Sequence, residues 1–91
     1  MTSVNLVSTA KKELNKIPEY IELKFYSWVK DVEEFGLSEV RKIPGLHDEE
    51  LKGKRKNQRS IRLSKSYRAI YESTNQEPES IEVEEINKHK Y

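Results

Sequence analysis

The hydrophobic period of this chain changes near its midpoint. From Ala10 to Ile43 apolar side chains return every three or four residues, which places them on one face of a helix. Ala10, Leu14 and Ile17 form the first such face, with Ser8 or Thr9 available as a cap. Ile21, Phe25, Trp28, Val32 and Phe35 form the second and longest, opened by Pro18 and stopped by Gly36. Leu37, Val40 and Ile43 predict a short third helical turn that ends at Pro44-Gly45. Val4 and Leu6 alternate ahead of the helices and predict a short first strand.

From residue 60 onward the period is two. Ile61 and Leu63 alternate with Ser60, Arg62 and Ser64. Tyr67, Ala69 and Tyr71 alternate with Arg68, Ile70 and Glu72, and Ile81 and Val83 with Glu82 and Glu84. Ser64–Ser66 fits a tight hairpin and the polar run "STNQEPES" a second turn. The expectation is therefore an α+β fold: a short N-terminal strand, two to three helices, then an antiparallel three-stranded meander, all in one domain spanning residues 1–91. If Ile61, Leu63, Tyr67, Ala69, Tyr71, Ile81 and Val83 face the helices, Arg62 and Arg68 must point to the other face of the sheet.

Charge sharpens this picture. The 91 residues carry 17 basic and 16 acidic side chains. Eight of the basic ones (Lys52, Lys54, Arg55, Lys56, Arg59, Arg62, Lys65 and Arg68) lie in residues 51–71, a segment without any acid. A near-neutral chain thus has one strongly cationic segment, which points to an anionic partner. The competing account pairs Arg62 with Glu82 and Glu84 across the sheet, as surface ion pairs commonly do. Hydrophobic content of 34% against 36% charged leaves a small core that a partner could help to cover.

Composition also excludes chemistries. Without cysteine there is neither a disulfide framework nor a thiol nucleophile, and two histidines are few for a zinc site, so no metal or cofactor is expected. No apolar run approaches a membrane span and no leader is recognisable, which predicts a soluble cytoplasmic protein without a membrane partner. His89 and Tyr91 close the chain and carry groups suited to proton transfer, against the plain reading of a frayed terminus. His47, in "GLHDEE", is a further candidate, and Asp48–Glu50 reads as a solvated turn.

The ordered set "ELKGKRKNQRSIRLSKSYRAIYE" and "IEVEEINKHKY", preceded by "AKKELNKIP" and "YIELKFYSWVKDVEEFGLSEVRKI", resembles the RelE/ParE superfamily of toxins from type II toxin–antitoxin modules, with HigB-like and RelE-like members nearest. The resemblance covers essentially the whole chain and implies the microbial-RNase-like RelE fold. It implies a metal-independent mRNA endonuclease acting in the A site of the 70S ribosome, partnered by a cognate antitoxin. Arg68 in "YRAIY" matches the strand arginine that stabilises the transition-state phosphate, and Arg62 in "SIRL" a basic strand position of the same duty. Lys52 in "LKG" matches a loop lysine, His89 and Tyr91 the C-terminal acid or base, and His47 the histidine ahead of "LKG", although "DEE" intervenes here. Lys54, Arg55, Lys56, Arg59 and Lys65 are then RNA-binding candidates. Ser60 stands where some relatives have lysine. Two other readings remain open: a ParE-like gyrase inhibitor, and a non-catalytic basic RNA-binding module.

Overall fold

The computed structural model describes residues 2–55, 57–74 and 78–88. Strand β1 (Ser3–Leu6) leads into helices α1 (Ser8–Leu14), α2 (Glu19–Phe35) and α3 (Leu37–Val40). A 3-10 turn (Pro44–Leu46) then precedes β2 (Glu49–Glu50). A second 3-10 turn (Gly53–Arg55) precedes β3 (Gln58–Arg62), β4 (Tyr67–Ser73) and β5 (Ser80–Lys88). The five strands order as β1-β5-β4-β3-β2, with β1 parallel to β5 and every other pair antiparallel. The expected α+β meander is present, extended by β1 along one edge and the two-residue β2 along the other.

Helices cover one face of the sheet. Ile21, Phe25, Trp28 and Val32 from α2 pack on Ile61, Ala69, Tyr71, Ile81 and Val83 from the strands, all at 2% exposure or less. Trp28 and Tyr71 meet ring to ring at 5.3 Å. Glu13 of α1 reaches past the end of β1, and its Oε1 accepts the Ile86 N–H at 2.9 Å, which satisfies the backbone edge that β1 is too short to pair. The hairpin closes as the polar triplet suggests, with the Ser64 hydroxyl oxygen accepting the N–H groups of Ser66 and Tyr67 at 3.1 and 3.2 Å.

Several expectations are corrected. Ser8 is the first helical residue and Val7 occupies the cap position in extended backbone, so neither Ser8 nor Thr9 caps α1. Pro18 stands just outside α2 instead of opening it, and its carbonyl accepts the first N–H groups, from Ile21 and Glu22. Phe35 and Ile43 follow the apolar stripes but are 59% and 43% exposed. Gly36, at φ 84°, turns the chain off the α2 axis, so Leu37 and Val40 enter the core in their place. Asp48–Glu50 is not a solvated turn. Glu49 and Glu50 pair with Ser60 and Arg59 of β3, and the Asp48 side chain is 1% exposed.

Candidate phosphate-binding cleft

The outer face of the sheet can be laid out from its register. Arg62 stands opposite Arg68, and Arg68 opposite Asn87. The next outward row is Ser60, Ile70 and Glu85, and the one beyond it Gln58, Glu72, Glu82 and Asn5. The expected outward placement of both arginines follows from this layout. Pairing of Arg62 with Glu82 or Glu84 does not. Glu82 lies two outward rows away, roughly 13 Å along the strands.

A break in β5 completes the face. Ile70 pairs with Glu85 while Tyr71 pairs with Val83, so Glu84 is an extra residue, a β-bulge. Strict alternation from Ile81 and Val83 would turn residues 85 and 87 inward. The bulge reverses parity, buries Ile86 at 1% exposure and sends Glu85 and Asn87 outward. Burial, followed by the repulsion of Glu82, Glu72 and Glu85, holds the Glu84 carboxyl above its ordinary titration range.

Over this face the loop between β2 and β3 folds back. Together they enclose an open cleft of about 500 Å3 lined by Leu51, Lys52 and Arg55 from the loop side and by Ser60, Arg68, Ile70, Asn87 and Lys88 from the strands. Arg68 Nη1 donates to the Ser60 hydroxyl at 3.1 Å, and Ser60 is itself buried, at 1% exposure. Arg55, on the loop, pairs with Glu85 of β5, and Asn87 Nδ2 donates to the other Glu85 oxygen at 3.0 Å. Among the described residues no acidic side chain pairs with Arg62, Arg68 or Lys52. Two arginines directly opposite each other repel unless an anion lies between them. Such a pair is suited to holding an anion.

The remaining candidates fall elsewhere. Arg59 points to the helix side. Its Nε donates to Asp48 Oδ1 at 2.5 Å and its Nη2 to the Asp48 carbonyl at 3.3 Å, while Tyr71 Oη donates to Asp48 Oδ2 at 2.5 Å. Burial opposes the charge on Arg59, but Asp48 outweighs it and the guanidinium is held charged more firmly than usual. The Tyr71 phenol is pushed up by burial and then by Asp48, with Arg41 opposing. Arg59 thus serves an internal network in place of the expected RNA contact, because its position in β3 has the parity of Ile61. His47 is exposed, in left-handed backbone at φ 45° after the 3-10 turn, and does not line the cleft. Lys54 and Lys65 are exposed, one on the loop and one in the β3–β4 hairpin. Lys56, His89 and Tyr91 lie outside the described residues. Ser60, Glu85, Asn87 and Lys88 were not singled out from sequence as site residues. Period two beginning at Ser60 could have placed Ser60 beside the arginines, but nothing local announces the bulge that aims Glu85 and Asn87, and Lys88 lines the cleft from the end of β5.

No protein-family model and no curated protein sequence matches the chain. Solved structures do. The YoeB/ParE toxin from Agrobacterium tumefaciens superposes with a TM-score of 0.75 over 97% of this chain and 99% of its own, at 13% identity. YafQ from E. coli gives 0.75 over 98% and 94%, also at 13%. The archaeal RelE–RelB complex from Pyrococcus horikoshii OT3 gives 0.70 over 96% and 93%, at 20%.

Proposed function

From this RelE/YoeB/YafQ-type fold and its cleft, we propose that the chain is the toxin of a type II toxin–antitoxin module and a ribosome-dependent mRNA endonuclease. The observation that carries the reading is the outward Arg62–Arg68 pair, unneutralised and held beside a cleft whose rim adds Lys52 and Lys88. That arrangement suits one phosphodiester held in a cationic seat. In cleavage the ribose 2′-oxygen attacks the adjacent phosphorus, the 5′-oxygen leaves, and negative charge builds on the non-bridging oxygens. Arg68, oriented by Ser60, stabilises that charge, and preorganised cations of this kind supply much of a rate enhancement. Lys52 binds the neighbouring phosphate or assists proton transfer, and His89 or Tyr91 is the candidate acid or base. Lys54, Lys56 and Lys65 extend the phosphate path. The mRNA in the ribosomal A site is the substrate and a cognate antitoxin the second partner, in the cytoplasm. Among the described residues no helix is long and apolar enough to cross a membrane.

Primer extension on a defined mRNA in a reconstituted translation reaction tests this reading, with and without ribosomes. New 5′ ends within codons that need both ribosomes and the wild-type chain are the expected result. Intact mRNA from a chain that still arrests growth refutes it and turns attention to gyrase supercoiling.

A further inference from the structure

Asn87 is one strand away from Arg68, roughly 5 Å, and lines the same cleft. Its amide is not free to rotate. A carboxylate facing an arginine has only acceptors to offer, so the Asn87 group turned to Glu85 Oε1 must be the NH2. Arg55 holds the other Glu85 oxygen and fixes the carboxylate in turn. The Asn87 carbonyl, Oδ1, is then left without a donor among the described residues. Beside it lie Ile70, only 7% exposed, and Leu51, an aliphatic floor where the rest of the cleft is cationic. A nucleotide whose phosphate rests on Arg68 has its base within reach of this floor.

The geometry points to Asn87 as the specificity-determining residue of the cleft, its locked Oδ1 accepting a hydrogen bond from the exocyclic amine of a base seated on Ile70 and Leu51. The inference rests on the RNA-cleaving reading above and adds which bases the cleft takes. Adenine N6 and cytosine N4 carry such donors, whereas uracil presents O4 at that place and sets acceptor against acceptor. Adenine or cytosine is therefore favoured over uracil next to the bound phosphate. Glu85 is a positioning residue: it does not touch the base but decides which end of the Asn87 amide the base meets. The bulge at Glu84 is what brings both to this face.

Two readouts on the same proteins test this. Fluorescein-labelled pentamers UUUUU, UUAUU and UUCUU are titrated with the wild type, Asn87→Ala and Glu85→Gln, and cut sites are mapped in the translation reaction. The wild type should bind the adenine and cytosine pentamers about five- to tenfold more tightly than UUUUU, the effect of one hydrogen bond gained against one acceptor clash. Asn87→Ala should bind all three equally and spread its cuts over uracil as well. Glu85→Gln, which lets the amide flip, should narrow the preference while keeping the circular dichroism of the wild type. A wild type that binds the three pentamers equally overturns the inference, and so does an Asn87→Ala protein that keeps the wild-type preference. Failure to cut mRNA refutes the cleavage reading separately, since the pentamer titration still measures base preference.

Discussion

Arg68 and Asp48 illustrate two uses of a charged side chain in one small fold. Arg68 faces outward and is bonded to a neutral serine, so its charge is oriented without being cancelled. Asp48 is enclosed and saturated by Arg59 and Tyr71, so its charge is consumed in holding the start of the basic loop to the sheet. The two should separate cleanly on mutation. Arg68→Ala should abolish mRNA cleavage and growth arrest while changing unfolding free energy by under about 1 kcal/mol, as a surface substitution outside the core does. Asp48→Ala leaves an arginine and a phenol without their acceptor and should cost about 3 kcal/mol in denaturant unfolding. Toxicity retained by a folded Arg68→Ala protein would remove that residue from the chemistry. Glu84 gives a third, pH-dependent contrast. Its carboxyl is held above its unfolded value, so the folded state is penalised progressively as pH rises from below about 4.5 through the raised folded value. Glu84→Gln should therefore raise the melting temperature at pH 7 and leave it nearly unchanged at pH 3.5. Equal gains at both pH values would mean that the benefit is not electrostatic.

Elements follow the apolar period closely where one chain face suffices to define them. Val4 and Leu6 predict β1, Ile21 to Val32 predict α2, and Ile61 to Tyr71 predict β3 and β4, because a buried face enforces a single periodicity. The same rule placed Arg62 and Arg68 on the outer face. It fails where tertiary geometry interrupts the count. Phe35 keeps the α2 rhythm but is left outside when Gly36 redirects the chain, and the Glu84 bulge inverts β5 so that Glu85 and Asn87 join the cleft. Arg59 belonged to a charged run by composition, yet its parity was that of Ile61, and its partner was Asp48, 11 positions earlier in the chain and marked by no local signal. Half of the cleft was thus readable and its β5 wall was not. The exposure of Phe35 has a measurable consequence. Val32→Ala, at a fully buried position of the same helix, should cost about 2 kcal/mol, whereas Phe35→Ser should cost well under 1 kcal/mol. Comparable losses in urea unfolding would show that Phe35 is packed in solution.

Across the whole molecule the outer face carries a gradient. Arg62 and Arg68 occupy one end, with Lys52 and Lys88 at the cleft rim. Glu72, Glu82 and Glu84 occupy the other end, past Ile70 and Glu85. Under the proposed RNA-cleaving role, a strand drawn to the arginines would meet like charge if it continued along β4 and β5, so the acidic row would limit how far the backbone runs and fix where the phosphate sits. Single-stranded RNA releases about 0.7 counterion for each phosphate neutralised. The four cations at the arginine end, with Lys54, Lys56 and Lys65 of the proposed path, therefore predict a log–log salt slope of about −5 for binding a ten-nucleotide RNA. Replacing Glu72 and Glu82 together by lysine converts the barrier into a continuation of the path. The slope should steepen to about −6 as two further phosphates engage. Cleavage in the translation reaction should at the same time lose positional definition, because the strand can then bind in more than one register. A slope unchanged by the double substitution would mean that RNA leaves the cleft sideways over the loop, and that the acidic row faces something other than the nucleic acid.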